Sequence, residues 1–277
     1  MQREQSPSVT AAPAVALVTH NSIEHLRRFL TRDLDVAREL GSLPVIVDNA
    51  STDGTDEYLR DVQRDADDVV VAFNDRNRGY ACAVNQAFEL AGGRDLLLIN
   101  PDIELTDAVT VRELVRVLRS DDDVGIVGPQ LITAGGIVQE SARRFPSILA
   151  MGGHASFLRF LPAARRASRR YLAIPPGRDP VDVDWTTGAA MLIRHSAYVA
   201  AGGFDERFFL YLEDCDFCLR CARAGWRTVY VPSVRLPHLH PRASHPDVGN
   251  VFTSAARRAH IASMARFFLK HPRLALG

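Results

Sequence analysis

The stretch FFLYLEDCDFCLRCARAGW, residues 208–226, places three acids and three cysteines within nine consecutive positions. Closely spaced thiolates are the ligands of iron–sulfur and zinc sites. A bacterial ferredoxin run would continue with a fourth cysteine and a proline, but glycine and tryptophan stand at those positions. Cys215, Cys218 and Cys221 cover about 120° of a helix. We therefore expect the sulfurs to pack in the core, where free cysteine behaves as a small apolar residue.

The acids of the same stretch allow two interpretations. Glu213 and Asp214 fall at the start of a predicted helix, where the helix dipole favours negative charge, and that placement alone would explain them. The alternative is that one of them takes a proton during a reaction. Asp216 is expected to pair with Arg220, four residues further along the same helix.

Polar residues follow several apolar runs that the pattern predicts to be strands. In open α/β sheets, ligands bind beyond the carboxyl ends of the strands. Asp48, in DNASTDGT, could accept an N–H from a nucleobase edge, or it could belong to a polar turn. Asp102, in NPDIEL, could hold a hard cation against phosphate oxygens, or it could belong to a turn that contains proline. Each of these two segments alone leaves both interpretations open.

The order of elements around these residues predicts an α/β protein. Apolar runs predict strands over 15–19, 44–47, 69–73, 96–99, 124–128 and 228–231, with a further apolar segment over 188–193. Helical spacing covers 22–39, 55–64, 79–90, 106–120 and 254–270. Thr55 and Thr106 are the expected N-caps of two of these helices. Such alternation predicts a mostly parallel sheet with helices on both faces.

Composition narrows the class of function. Hydrophobic residues make up 47% of the 277-residue chain and charged residues 24%, which suits a large core. The formal net charge of +0 argues against nucleic acid as a partner. There is no G-x-G-x-x-G after the first strand and no P-loop, because Lys270 is the single lysine. The chain shows neither a signal-peptide pattern nor a long apolar run, so we expect a soluble cytoplasmic protein.

The segment 157–170 is rich in arginine and also holds two phenylalanines and two leucines. A solvated basic face is one interpretation. The other is an interfacial segment, in which apolar side chains reach lipid headgroups beside the arginines. The apolar residues are Phe157, Leu158, Phe160 and Leu161, and the arginines are Arg159, Arg165, Arg166, Arg169 and Arg170.

Five motifs occur in a fixed order: VTHN, VDNASTDGT, NRGYACAVNQAF, LLLINPDIEL, and the long run from TGAAMLI to FLYLEDCDFCLR. Together they resemble glycosyltransferase family 2, the inverting GT-A enzymes, and within it the rhamnosyltransferase-like branch. The resemblance implies a Rossmann-like GT-A fold in one catalytic domain, residues 13–245, between a flexible N-terminus (1–12) and a C-terminal helical segment (246–277). Residues 13–130 would form the nucleotide-sugar half and 131–245 the acceptor and catalytic half.

The resemblance also implies roles for particular residues. The nucleotide sugar would meet Thr19, Asn21, Asp48, Asn77, Gly79, Asn85 and Asn100. Asp102 would hold Mn²⁺ or Mg²⁺, although Asn100 replaces the first acid of the family's D-x-D motif. A histidine, His238 or His240, would approach the metal or the diphosphate. Asp214 would be the general base, with Glu213 beside it in the ED pair. Trp185 and Gly188 would line the acceptor side, with a buried core tryptophan as the competing interpretation of Trp185.

The function that the resemblance implies is metal-dependent inverting transfer of a sugar from a nucleoside diphosphate. Rhamnose from dTDP-rhamnose is the leading donor, and the acceptor is a saccharide or a polyprenyl-diphosphate-linked saccharide of the cell envelope. A lipid-linked acceptor would bring the protein to the inner face of the membrane as a peripheral protein. The alternatives are a UDP-sugar donor of the galactose, glucose or GlcNAc type, and a binding module without catalysis.

Overall fold

A computed structural model describes residues 12–155, 162–172, 177–239 and 255–275. The strands are β1 (Ala14–Thr19), β2 (Pro44–Asp48), β3 (Val70–Phe73), β4 (Leu96–Ile99), β5 (Val124–Ile132), β6 (Ala142–Arg143), β7 (Val181–Val183), β8 (Trp185–Thr186), β9 (Ala190–Ile193) and β10 (Arg227–Pro237). The helices are α1 (Ile23–Leu40), α2 (Thr55–Asp65), α3 (Tyr80–Leu90), α4 (Ala108–Leu118), α5 (Ile148–Ala155), α6 (Pro162–Tyr171), α7 (His195–Ala201), α8 (Glu213–Arg223), α9 (Ala255–Lys270) and α10 (Pro272–Ala275).

Eight strands form one sheet in the order β3-β2-β1-β4-β9-β5-β10-β7, and β6 pairs with β8 in a separate two-stranded ribbon. The first four strands of that order run parallel, as do β5 and β10. Strands β9 and β7 are antiparallel to their neighbours. The prediction of a mostly parallel sheet is thus confirmed. Because β9 is inverted, its first residues lie at the same edge of the sheet as the carboxyl ends of β1, β2 and β4.

Helices cover both faces of the sheet, which explains why its strands are apolar throughout. One core packs α1, α2 and α4 against the sheet. The other holds α3, α7, α8 and the buried residues of α5, α6 and α9. The C-terminal helices pack on this second core, with Phe267 fully buried. The sheet and both cores form the single α/β domain that the sequence predicts. No described helix combines the length and the apolarity that crossing a bilayer requires.

Both N-cap predictions were wrong by one residue. Helix α2 has Gly54 at the N-cap position, and Thr55 is the first helical residue. The Thr55 hydroxyl instead accepts a hydrogen bond from the Ser22 backbone N–H, which ties α2 to the start of α1. Helix α4 is capped by Asp107, whose carboxylate accepts from the Thr110 N–H at 2.7 Å. Aspartate is a strong N-cap, so it outcompetes the preceding threonine.

The three clustered cysteines lie inside the core, fully buried among the apolar side chains of α8. Burial raises the pKa of Cys215 and Cys218 well above the usual value, and that of Cys221 to about 12. The sulfurs are therefore neutral and serve packing, which confirms the prediction. Asp216 pairs with Arg220 at 2.8 Å, also as expected.

Candidate active site

The loop after β2 is fixed by the carboxylate at its start. Asp48 is buried, with 1% of its surface exposed. Its Oδ1 accepts from the Thr19 hydroxyl at 2.9 Å and from the Ser51 hydroxyl at 2.5 Å, and its Oδ2 accepts from the Ser51 N–H at 3.0 Å. A carboxylate offers about four acceptor positions. One position on Oδ2 therefore stays open to a further N–H donor.

Asn21 closes the other side of this loop from the end of β1. Its side-chain oxygen accepts from the Thr52 N–H at 2.8 Å, and its own N–H donates to the Ser51 hydroxyl at 2.8 Å. Asn21 and Ala50 both have positive φ, at 52° and 61°. Two non-glycine residues in this region are unusual and typical of functional loops. Thr19, Asn21 and Asp48 thus form one rigid wall.

Asn49 links this wall to the next loop, a role that the sequence interpretation did not assign. Its amide donates to the Asn77 side-chain oxygen at 2.9 Å and to the Gly79 carbonyl at 3.2 Å. Its oxygen accepts from the Arg78 N–H at 3.0 Å. Asn77 in turn accepts from the Gly79 N–H at 2.9 Å. The two loops are therefore held as one unit by side-chain amides.

Gly79 is required by its conformation and by its neighbour. Its φ is +88°, and an added Cβ would lie 2.8 Å from the Phe209 carbonyl oxygen. The next residue, Tyr80, donates its N–H to that same oxygen at 2.8 Å. Tyr211 and Leu212, just before α8, also have positive φ, at 70° and 64°. The turn that leads into α8 is thus pressed against the start of α3.

Tyr80 joins three parts of the site and was also missed by the sequence interpretation. Its hydroxyl lies 3.0 Å from Asn100 Oδ1 and 2.9 Å from the Gly188 carbonyl oxygen. Burial and then the negative charges of Glu213, Asp214 and Asp102 raise its pKa well above 10, so it stays a neutral donor. Tyr80 therefore links the Asn100 loop with the Gly188 segment, whose N–H donates to Asp214. The only sequence signal was the tyrosine inside NRGYACAVNQAF.

Asp214 receives two backbone hydrogen bonds. Gly188 N–H donates to its Oδ2 at 2.9 Å, and Cys215 N–H donates to its Oδ1 at 2.8 Å. Gly188 lies against it, because an added Cβ would stand 3.5 Å from the Asp214 Cβ. Burial raises the pKa of Asp214, and the two N–H donors with the nearby Arg143 act to lower it. Glu213 is buried as well, its Oε2 has no partner among the described residues, and its pKa lies well above 4.5.

Asp102 faces a histidine that arrives from the end of β10. His238 Nε2 lies 3.2 Å from Asp102 Oδ2, and its Nδ1 lies 2.6 Å from Gln139 Oε1. Gln139 can only accept at that oxygen, so Nδ1 carries a proton and donates. Burial acts to raise the pKa of Asp102, but His238, the Asp102 backbone N–H and His25 together lower it. His240 lies outside the described residues.

This pair fits a divalent cation that shares its ligands with a substrate. Within the described ranges, no three His, Cys, Asp or Glu side chains form a complete metal site. One carboxylate oxygen and one imidazole nitrogen would be two ligands, which suits a cation completed by diphosphate oxygens and water. Metal-binding histidines usually donate their second ring N–H to an orienting group. Gln139 occupies that position here.

Trp185 forms part of the wall behind Asp214. It is buried, and its indole N–H donates to the Arg144 carbonyl at 2.9 Å. The guanidinium of Arg143 lies over the rings of both Trp185 and Tyr171, 5.4 Å from each centroid. Trp185 therefore acts as a core residue that positions Arg143. Its contact with an acceptor remains a prediction.

Asn85 stands apart from the other predicted residues. Its amide donates to the Phe204 carbonyl and to Glu206, and its oxygen accepts from the Phe204 N–H and the Tyr198 hydroxyl. All of its polar atoms are thus used to hold the turn before α8. The structure brings together the loops of Asp48, Asn77, Asn100, Asp102 and Asp214, and Asn85 supports them from behind.

The fold and this arrangement define a class of protein. The parallel strands end in polar loops, an NPD segment follows β4, and an ED pair begins α8 beside it, as in glycosyltransferases of the GT-A fold that use nucleotide sugars. A family model described as "Glycosyltransferase like family 2" matches residues 12–259. The chain therefore belongs to glycosyltransferase family 2.

Its curated relatives include rhamnosyltransferases. The chain is 35% identical over 238 residues to N-acetylglucosaminyl-diphospho-decaprenol L-rhamnosyltransferase of Mycobacterium tuberculosis, covering 82% of this chain and 75% of the relative. It is 41% identical over 88 residues to rhamnosyltransferase WbbL of Escherichia coli K12, covering 32% and 31%. The predicted family and branch are confirmed.

Solved structures share the fold at low identity. GalNAc-T7, solved with UDP, GalNAc and Mn²⁺, matches with a TM-score of 0.65 and 18% identity over 84% of this chain and 44% of its own. The mannosyltransferase PcManGT from Pyrobaculum calidifontis, solved with GDP-Man and Mn²⁺, matches with a TM-score of 0.55 and 20% identity over 85% of this chain and 61% of its own. At these identities the likeness establishes the GT-A fold alone.

Proposed function

We propose that this protein is an inverting, metal-dependent rhamnosyltransferase of cell-envelope synthesis. Its donor would be dTDP-rhamnose, and its acceptor a saccharide carried on a polyprenyl diphosphate. The observation that carries the proposal is that the Tyr80 hydroxyl bonds both to Asn100, beside Asp102, and to Gly188, whose N–H donates to Asp214, at the edge of the sheet where β2 also ends in Asp48. The relation to a rhamnosyltransferase that acts on a decaprenol-diphosphate sugar supports the choice of substrates.

Asp214 is the group best suited to accept a proton. In the reaction, an acceptor hydroxyl oxygen forms a bond to the anomeric carbon, and the bond from that carbon to the diphosphate oxygen breaks. The electron pair leaves with the nucleoside diphosphate, and the hydroxyl proton passes to Asp214. Attack opposite the leaving group inverts the anomeric carbon. The N–H groups of Gly188 and Cys215 favour the charged form of the carboxylate and fix its direction before the acceptor arrives.

Asp102 and His238 are the proposed ligands of the cation. A bound Mn²⁺ or Mg²⁺ would neutralise the charge that develops on the leaving diphosphate. Asn100 holds no charge, and its oxygen receives the Tyr80 hydroxyl. We infer that Asn100 keeps the loop in place beside the donor. With a single carboxylate in the pair, metal affinity would depend on the nucleotide.

The donor-binding wall is proposed from hydrogen-bonding capacity. Asp48 keeps one acceptor position that could receive a pyrimidine N–H, and Thr19 and Asn21 hold that carboxylate and its loop in place. Asn77 and Gly79, in the neighbouring loop, would face the ribose or the diphosphate. Both UDP and dTDP carry a pyrimidine with such an N–H. The UDP-sugar alternative is therefore distinguished by the sugar, the 2′ position and the C5 methyl of thymine, not by Asp48.

The test is turnover with a defined acceptor. The purified protein is incubated with Mn²⁺, polyprenyl-diphospho-N-acetylglucosamine and a panel of dTDP-, UDP- and GDP-sugars, and the lipid product is measured by mass spectrometry. The proposal predicts a product one deoxyhexose heavier with dTDP-rhamnose and little product with the other donors. Product formed only with a UDP-hexose would show that the donor is a UDP-sugar and not dTDP-rhamnose. Binding of sugar nucleotides without any product would favour a module that lacks catalysis.

A further inference from the structure

Basic and acidic residues are distributed very unevenly along this sequence. Residues 141–178 hold eight arginines and no aspartate or glutamate, although basic and acidic residues number 33 each over the whole chain. The remainder therefore carries a net charge of −8. The arginines of this segment would be attracted to a negative surface, whereas the net charge of the remainder would be repelled by it.

Helix α6 presents this charge to solvent. Arg165, Arg166, Arg169 and Arg170 are exposed, whereas Ala164 and Tyr171 are buried. With about 100° per residue, the four arginines span about 140° of the helix, opposite the buried side. Among the residues that the structure describes, no carboxylate pairs with any of the four. The helix thus offers one uninterrupted basic face.

Exposed apolar side chains lie next to that face. Helix α5 packs against α6 and begins with Ile148 and Leu149, which are 52% and 38% exposed. The Arg144 N–H, just before α5, donates to the Tyr171 carbonyl at the end of α6 at 3.0 Å. The apolar start of α5 and the arginine-rich end of α6 therefore meet. Basic and apolar groups side by side are typical of surfaces that bind anionic bilayers.

The position of this face relative to the candidate site is also informative. Tyr171, the last residue of α6, lies beside Trp185 with ring centroids 6.5 Å apart, and its hydroxyl accepts from Arg143. Trp185 lies on β8, which packs against α8, the helix that begins with Glu213 and Asp214. The basic face is therefore connected through Tyr171 and Trp185 to the proposed acceptor side of the site.

We propose that the exposed arginines of α6, with Ile148 and Leu149, form a docking surface for an anionic lipid bilayer. Nucleic acid fits this surface less well, because the remainder of the chain would repel a long polyanion and the apolar side chains would gain nothing. The apolar residues 157, 158, 160 and 161 of the sequence prediction lie outside the described residues, and the proposal does not need them. Nor does it depend on the identity of the donor sugar.

Flotation with vesicles tests the proposal. Wild-type protein is mixed with vesicles of phosphatidylcholine and phosphatidylglycerol, or of phosphatidylcholine alone, at low and high salt. We expect binding to the anionic vesicles only, and loss of binding at high salt, where the screening length falls to about 3 Å at 1 M. Each basic residue near an anionic surface contributes a factor of about five to the partition coefficient. Replacing all four arginines by glutamine should therefore lower it by more than about a hundredfold.

Two controls make the result specific. A variant with Arg27, Arg28, Arg112 and Arg116 replaced by glutamine loses the same charge from α1 and α4, on the opposite face of the sheet, and should bind like wild type. Replacing the four α6 arginines by lysine should keep most of the binding. Equal binding by the glutamine variant of α6 and by wild type, or no binding of wild type to anionic vesicles, would overturn the proposal.

Two further measurements distinguish bilayer docking from nucleic-acid binding and from the proposed enzymatic function. Binding of the α6 face to an oligonucleotide at the same salt, without binding to vesicles, would show that the partner is nucleic acid and would also overturn it. The variant Asp102→Ala should dock on vesicles like wild type while donor binding fails. The α6 glutamine variant should melt normally and bind nucleotide normally. Failure of docking and failure of the proposed function are therefore seen in different variants.

Discussion

Glu213 and Asp214 are adjacent acids in very different surroundings. Asp214 is held by the N–H groups of Gly188 and Cys215, whereas Glu213 Oε2 has no partner among the described residues. Burial raises the pKa of both acids, and the charge of Asp214 raises that of Glu213 further. Hydrogen bonds from N–H groups favour the charged form of a carboxyl, and Asp214 has more of them, so we expect the general base at Asp214.

Replacing Asp214 by asparagine keeps the shape of the side chain and removes the base. We expect turnover to fall by at least about a hundredfold, because a positioned general base contributes about 10²- to 10⁴-fold. Donor affinity, measured by calorimetry with Mn²⁺, should stay near the wild-type value. Glu213→Gln is the matched control and should lose much less turnover. Wild-type turnover in Asp214→Asn would assign the base elsewhere.

Other residues act by connecting elements, and Asp33 on α1 is one of them. Its Oδ1 accepts from the Leu105 N–H at 2.9 Å and so holds the loop that carries Asp102. Its Oδ2 is buried with no partner among the described residues. Burial raises the pKa of Asp33 from 3.8 to about 7.

This carboxyl predicts a pH dependence of stability. The folded protein binds the proton more tightly than the unfolded chain does, so the contribution of Asp33 falls as pH rises from about 4 to about 7. At one pKa unit per 1.36 kcal/mol, the loss reaches about 4 kcal/mol. Asp33→Asn should remove this pH-dependent loss of stability and make the protein more stable than wild type at pH 8, as measured by urea unfolding. The exposed neighbour Asp35→Asn should follow wild type. A wild-type pH profile in Asp33→Asn would contradict this account.

The last helix is tied to α8 by charge. Lys270 Nζ lies 2.6 Å from Asp205 and 2.7 Å from Asp216, and His271 Nε2 lies 2.8 Å from Asp216. Asp216 is fully buried, and burial acts to raise its pKa, but Lys270, Arg220 and His271 together lower it. Asp216, which the sequence pairs with Arg220 alone, thus also anchors the C-terminal helices.

Removing the charge of Lys270 should loosen that anchor. We expect Lys270→Met to lower the free energy of unfolding by about 1.5–3 kcal/mol, the usual range for a hydrogen bond to a charged group. Arg273 is exposed on α10. Arg273→Met should change the free energy of unfolding by less than about 0.5 kcal/mol. Thermal unfolding of both variants measures the difference. Equal melting temperatures would mean that the ion pairs contribute nothing.

At the scale of the whole molecule, local patterns predicted most elements correctly. The strands from β1 to β5 follow from apolar runs, because a strand buried on both faces needs apolar residues throughout. The inverted direction of β9 could not be read, since hydrogen bonds to β4 and β5 set it and both strands are distant in sequence. The ribbon of β6 and β8 is too short to leave a pattern.

The candidate site likewise contains residues that the sequence predicts and residues that it does not. The acids at strand ends and at the start of α8 could be found, because a charged residue directly after or before an apolar element is conspicuous. Tyr80 and Gln139 could not, since their partners lie 108 and 99 residues away. The motif predicts that Asn85 meets the nucleotide, and that contact stays a prediction; the structure adds that its amide holds the turn before α8. Sequence spacing cannot distinguish a residue that contacts a ligand from one that supports it.

The central claim is that loops from separate elements form one site for a nucleoside diphosphate and a divalent cation. Calorimetric titration of dTDP and UDP, with Mn²⁺ or with a chelator, tests it most directly. Wild type and the exposed-acid control Asp122→Ala should bind at least about tenfold more tightly with Mn²⁺, a difference of about 1.4 kcal/mol. Asp102→Ala should bind equally weakly in both conditions. Metal-independent binding by wild type, or an undiminished Mn²⁺ effect in Asp102→Ala, would contradict the account.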